Sequence, residues 1–294
     1  MVAVFGNALL ATSKILSGIF GNSLAVLGDG MDSSGDVLIS IMTVIAARIA
    51  LQPPDTDHPY GHARADTVGS KVLAFVVFFL GAQLSLTAVQ NFVSGNLPAL
   101  PAVWTLGVVG FSILGKILLS LYLGFVSKKT GSFMLEANAR NMASDVVISG
   151  VVLTGTALAV FTGWSWLDPL TAFLVGFWVM RTGWGIFKET SLEVMDGLED
   201  THLYKEVFEC AEKSPGIFNP HKTRIRKFGP HYLIDMDVEV DPTLTVAQAH
   251  DLATNLEKAL KTAIPEVMDV MIHVEPKGRG EHGESFGLKT SSIT

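Results

Sequence analysis

Residues 23–51 read SLAVLGDGMDSSGDVLISIMTVIAARIAL. The stretch is long and apolar enough to cross a bilayer core, which takes about 20 residues of helix. Yet Asp29, Asp32 and Asp36 fall inside it. A charge at that depth is costly and marks a pathway or a binding site. Asp32 and Asp36 stand four apart, so they share one helix face. Asp29 is read as a lining or helix-contact group rather than a ligand.

Working outward, five more apolar stretches lie at about 2–20, 68–93, 102–126, 133–161 and 166–188. Gly21-Asn22, Pro53-Pro54, Gly95 to Pro101, Gly131 and Gly163 to Pro169 punctuate them. The pattern predicts an α-helical membrane protein with six transmembrane helices over residues 1–190. The first stretch is the weakest, interrupted by Asn7 and Lys14. It has no basic leading region and runs into a second apolar stretch, so no cleaved signal peptide is expected.

Only 17% of the 294 residues are charged, and mean hydropathy is +0.41. That average covers two unlike parts. Residues 1–190 hold 10 Lys/Arg and 10 Asp/Glu, whereas residues 191–294 hold 11 and 18 and carry the whole net charge of −7. The first part reads as membrane and the second as a soluble acidic domain. Such a chain is not disordered, not a disulfide scaffold and not a typical nucleic-acid binder. Cys210 is its single cysteine and forms no internal disulfide.

Basic residues orient the spans. Arg64, with Arg48 and Lys71 beside it, marks the 52–66 connection, Lys128 and Lys129 mark 127–132, and Lys188 ends the last span. The connections at 21–22, 94–101 and 162–168 carry no Lys or Arg. By the positive-inside rule both termini are cytoplasmic and the protein sits in the cell (inner) membrane.

Span 5 repeats the spacing of span 2 with Asn141 and Asp145. At 1.5 Å per residue, Asp32 and Asp36 lie about 14 and 20 Å from one membrane face, and Asn141 and Asp145 about 12 and 18 Å from the other. The depths coincide in a core about 30 Å thick, so three carboxylates and an amide can form an oxygen cage for a divalent cation. The alternative is that these groups only join helices. Lys14, Lys116 and Arg140 are expected as counter-charges or snorkelling residues.

With these residues, six spans and a C-terminal domain, the chain resembles the cation diffusion facilitator family of divalent-metal transporters. Gln52-Pro53-Pro54-Asp55-Thr56-Asp57-His58-Pro59-Tyr60-Gly61-His62 is similar to a further family segment. The resemblance implies a secondary transporter rather than an enzyme, running metal against protons. Its substrates and regulators would be Zn²⁺, Mn²⁺, Fe²⁺ or Co²⁺, with no organic cofactor. Zinc-transporting members commonly place histidine where Asn141 stands, and the harder oxygen set suits Mn²⁺ or Fe²⁺ relatively better. The resemblance makes Asp55, His58 and His62 an accessory metal site; a turn held by hydrogen bonds is the alternative. It also implies that Arg64 and Asp196 can pair.

The tail reads αββαβ. Helices are expected at about 199–213, with Thr201 as a cap, and at about 245–262. Strands are expected near 221–228, 231–240 and 267–274. In the second strand Ile234, Met236, Val238 and Val240 alternate with Leu233, Asp235, Asp237 and Glu239, giving one buried and one acidic face. The order is similar to the family's small α+β, metallochaperone-like domain, which dimerises, and it is assigned to 191–276. Residues 277–294 read as a disordered tail. The family pattern places metal ligands at His221, Asp237, His250, His273 and Glu275, against the plainer reading of each histidine as an ordinary surface or core residue. His202, His231 and His282 fit no pattern.

The partners expected are a second copy of the chain, through the cytoplasmic domain and the spans, the lipid bilayer, metal ions and protons. A membrane-bound metal sensor or assembly scaffold without transport is the competing function. An intramembrane metalloprotease is disfavoured, because no HExxH-type helix occurs.

Overall fold

A computed structural model describes residues 2–50, 52–95, 97–130, 133–198, 201–229, 231–278 and 287–290. Six long helices come first: α1 Val2–Phe20, α2 Leu24–Ala50, α3 Ala65–Val93, α4 Trp104–Thr130, α5 Phe133–Thr162 and α6 Leu167–Val194. Five of these, α2 to α6, contain a segment long and apolar enough to cross a membrane. At 19 residues α1 extends about 28 Å, close to a bilayer core. The chain forms two compact units, Met1–Ile45 with Gly69–Phe187, and Ala46–Val68 with Lys188–Thr294. The second unit thus takes in residues 46–68, which the expected division at residue 190 had left with the spans.

In the first unit large apolar side chains such as Phe79, Phe111, Leu118 and Phe161 are exposed, as helices surrounded by lipid require. The interior is built from small residues, which let backbones approach. A Cβ placed on Gly81 would lie 2.6 Å from the Gly176 carbonyl oxygen, and one on Gly183 would lie 2.7 Å from the Phe78 nitrogen. Helices α3 and α6 therefore meet backbone to backbone. Asp168, in the first turn of α6, fixes the start of α2. It accepts from Ser23 Oγ at 2.5 Å and from the Leu24 and Ala25 amides at 2.6 and 3.3 Å. These are donors that a helix N-terminus leaves without intrahelical partners.

The second unit runs α7 His202–Lys213, β1 Phe218–Phe228, β2 His231–Val240, α8 Val246–Ala263 and β3 Val267–Pro276. Strand order is β1-β2-β3, with β1 antiparallel and β3 parallel to β2. The crossover from β2 to β3 is made by α8. Its core joins Val207 and Ala211 of α7 to Ile234, Met236 and Val238 of β2, and to Leu256 and Leu260 of α8. The alternation read in β2 is present, except that Asp237 on the acidic face is itself buried.

One local expectation is corrected. Thr201 has helical backbone angles and caps nothing with its side chain. The working cap is Thr245, whose hydroxyl accepts from the Gln248 amide while Gln248 Oε1 accepts from the Thr245 amide, a reciprocal capping box. Among the described residues of 277–294, the Lys277 amide donates to the Val240 carbonyl at 2.8 Å, and Leu288 pairs with Thr223 through two backbone hydrogen bonds of 2.9 and 3.0 Å.

Candidate metal sites

The membrane carboxylates lie around two lysines. Lys116 of α4 has 0% side-chain exposure. It donates to Asp145 Oδ2 of α5 at 2.9 Å, and its Nζ lies 3.9 Å from Asp36 Oδ2 of α2. Asp36 and Asp145, from different helices, thus reach one point at one depth. Asp32 lies one turn before Asp36 and is half-buried. The Asn141 side chain, like that of Arg140, lies outside the described residues. Helix α5 carries Asn141 one turn before Asp145.

Lys14 of α1 holds a second network. Its Nζ lies 2.8 Å from Asp29 Oδ2 and donates to Ser149 Oγ at 2.9 Å and Ser33 Oγ at 3.2 Å. Ser149 in turn donates to Asp29 Oδ1 at 2.8 Å. Asp29 is therefore a helix-contact group. Neither lysine snorkels, since both are fully buried.

The loop cluster of the second unit brings Asp55, His58 and His62 together, one ligand atom from each lying within 4.8 Å of the others. Asp55 Oδ1 accepts from the His58 amide at 2.6 Å and the Asp57 amide at 3.0 Å. The His58 amide foremost holds the Asp55 carboxyl below the usual carboxylate range. Asp55 Oδ2 lies 3.3 Å from His62 Nε2, and the two imidazoles are 4.4 Å apart. The cluster is thus both a hydrogen-bonded turn and a possible ligand set. Close by in sequence, Arg64 Nη2 is ion-paired with Asp196 Oδ1, the pairing expected from the resemblance.

In the tail, His221, Asp237 and Glu275 converge in the same way. The His221 Nδ1 lies 2.7 Å from the Asn219 carbonyl oxygen. A carbonyl only accepts, so Nδ1 carries the proton. The other ring nitrogen, Nε2, lies 3.4 Å from Glu275 Oε2. This is the usual way a ligating imidazole is oriented. His273 stands beside the group, 3.7 Å from Glu275 Oε1 but largely exposed. His250 is exposed on α8 and is not brought to the cluster within one chain.

Sequence reasoning missed Lys222. Its Nζ lies 2.9 Å from Asp237 Oδ2 and 3.6 Å from Glu275 Oε1. It gets there through irregularities in β1 on both sides of His221, with Asn219 and Lys222 at φ of 43° and 47°. Such a bulge re-aims a side chain that strict alternation would send to the other face. Nothing in the local sequence marks the position.

Two family models match the chain: "Cation efflux transmembrane domain" over residues 1–195 and "Cation efflux protein, cytoplasmic domain" over 200–277. The manganese efflux system protein MneS of Bacillus subtilis is 31% identical, the alignment covering 94% of each chain. The cation-efflux pump FieF of Salmonella typhi is 28% identical, with 90% of this chain and 87% of that one covered. Among solved structures, the metal-bound C-terminal domain of the CzcD transporter from Thermotoga maritima is 40% identical. It covers 27% of this chain and 93% of that one, at a TM-score of 0.26.

Proposed function

The chain belongs to the cation diffusion facilitator family, the cation efflux proteins, and on that premise we propose that it exports divalent transition-metal cations in exchange for protons. The observation that carries this reading is the meeting of Asp36 and Asp145, from two helices, on a single buried cation, the Lys116 ammonium. The charge count supports a divalent substrate. Among the described side chains, Asp29, Asp32, Asp36 and Asp145, fully ionised, outnumber the two ammoniums of Lys14 and Lys116 by two negative charges. One M²⁺ neutralises them. When the metal leaves, protons on the same carboxylates restore the balance, because metal and proton compete for one set of oxygens.

Oxygen ligands without an imidazole favour Mn²⁺ or Fe²⁺ over Zn²⁺ relative to a histidine-containing site. The name of the Bacillus relative agrees, and Mn²⁺ is the substrate proposed first. The tail cluster of His221, Asp237 and Glu275, with His273 at its side, is proposed as a regulatory cation site. The loop cluster of Asp55, His58 and His62 is proposed as an accessory one. The functional unit is a homodimer joined through its C-terminal domains, with both termini in the cytoplasm.

The test is metal-driven proton flux in proteoliposomes for Mn²⁺, Fe²⁺, Co²⁺ and Zn²⁺. Asp36→Ala abolishes flux, and Asn141→His shifts preference toward Zn²⁺. Undiminished flux in Asp36→Ala removes the site assignment. A chain that binds metal in its tail but carries none across the vesicle is a sensor or scaffold.

A further inference from the structure

A lysine in direct contact with two transport carboxylates competes with the substrate. Lys116 is a compact, permanently attached cation on a flexible four-carbon stem. Its Nζ uses Asp145 Oδ2 and approaches Asp36 Oδ2, oxygens that a metal would also claim. A divalent ion entering between these carboxylates finds the ammonium on the oxygens it needs. At about 4 Å in a partly polar interior, like charges repel by several kcal/mol. The ammonium has to withdraw, and being fully buried it needs a polar place to go.

The structure holds two suitable oxygens. Asn7 Oδ1 on α1 and Ser112 Oγ on α4 are buried without a hydrogen-bond partner among the described residues; Asn7 is 8% exposed and Ser112 0%. Ser112 stands four residues before Lys116, on the same helix face and on the side toward which helical side chains lean. Asn7 is placed by the packing of α1 on α4. A Cβ on Gly6 would meet Leu119, and one on Gly115 would meet Leu10, at 3.0 and 3.1 Å. These two contacts bracket Asn7 on one helix and Lys116 on the other, so both lie within about one turn of the same level.

We propose that Lys116 is a tethered competitor for the transported cation, which exchanges Asp145 and Asp36 for the oxygens of Asn7 and Ser112 when metal binds. The inference rests on the transport site proposed above. Its consequence is a site that binds its substrate less tightly than its oxygens alone would, and so lets go of it. When metal departs, the ammonium returns to the carboxylates and helps expel it. Lys116 is a positioning residue, touching the ligands rather than the metal.

The experiment is Mn²⁺ titration of the full chain in nanodiscs, reading the part of the isotherm that Asp36→Ala removes, alongside Mn²⁺ transport in proteoliposomes. In Lys116→Met the dissociation constant falls by about tenfold and turnover slows, because the competing state is gone. Lys116→Arg keeps the charge, and its guanidinium grips carboxylates through two donors, so Mn²⁺ binds more weakly than in the wild type. The double variant Asn7→Leu/Ser112→Ala weakens binding by about tenfold when Lys116 is present and has no effect on top of Lys116→Met.

An Asp36-dependent isotherm that does not tighten in Lys116→Met overturns the proposal alone. So does equal weakening by Asn7→Leu/Ser112→Ala with or without the lysine, which marks a merely structural role. Should Lys116→Met not fold, Lys116→Arg decides, and Mn²⁺ binding as tight as the wild type rejects the idea. A wild-type isotherm with no Asp36-dependent part overturns the transport site itself and this proposal with it.

Discussion

In the membrane unit Lys14 and Lys116 are 0% exposed, while Phe79 and Phe161 are 65% and 79% exposed. In the C-terminal unit the assignment is reversed: Leu256 and Leu260 are fully buried, and the charges of α7, such as Lys213 and Glu209, face solvent. The same chain obeys one rule in two solvents. Lipid gives apolar side chains no reason to hide, so the membrane interior is free to hold ions, provided each is partnered. Water drives apolar side chains inside and leaves ions at the surface. The cation sites proposed in the spans and in the tail differ accordingly. The one in the spans lies between α2, α4 and α5 and is balanced by a buried lysine, whereas the one in the tail sits on a sheet face at the edge of an ordinary core.

The sharpest way to break this comparison is to remove one buried charge. Lys14→Met leaves Asp29 buried with Ser149 as its one side-chain donor among the described residues, and should cost about 3–5 kcal/mol in thermal unfolding of the detergent-solubilised chain. Lys14→Met/Asp29→Leu should recover most of that loss. If the double variant is as unstable as the single one, the pair is not the unit of stability and the contrast fails. In the C-terminal unit the matching change is Leu256→Ala. Loss of its packing against Val207, Ile234 and Leu260 should cost about 3 kcal/mol, read from the urea transition of that unit. A smaller effect, about 1 kcal/mol, is expected from Thr245→Ala, which removes half of the capping box of α8 and is read in the same transition.

Much of this architecture was legible in the residues. All six long helices stand where the apolar runs place them, five of them with a segment long and apolar enough to cross a membrane, because about 20 such residues in a row have few other uses. The last, α6, continues six residues beyond 188, to Val194. The period-two pattern of 231–240 predicted β2 to the residue. Thr245-Val246-Ala247-Gln248 is a capping box in plain sight and was overlooked in favour of Thr201, which merely precedes a helix.

What the sequence did not carry was pairing across the fold. Lys14 and Lys116 were visible as charges in the spans, but their partners lie 15 to 135 residues away along the chain, on other helices. Asp168 falls unremarked in the connection from Gly163 to Pro169; that it holds the start of α2 depends on how α6 packs. Lys222 reaches the tail cluster only through a bulge with positive φ, a backbone choice no neighbouring residue announces. Helix rise alone puts the pair Asp32 and Asp36 over the same range of depths as the pair Asn141 and Asp145; that Asp36, rather than Asp32 at the nearer depth, shares Lys116 with Asp145 comes from the packing.

The glycine seam between α3 and α6 has a mechanical consequence. Where Gly81 meets Gly176 and Gly183 meets Phe78, backbone comes against backbone, and the aromatic pairs Phe75–Phe187 and Phe78–Trp184 lock the contact beside them. A joint of that kind does not slide by a fraction of a residue without collision, so α3 and α6 behave as a single beam. Whatever rocking carries an ion through this molecule has to be hinged elsewhere, with this pair as the chassis against which the other helices move.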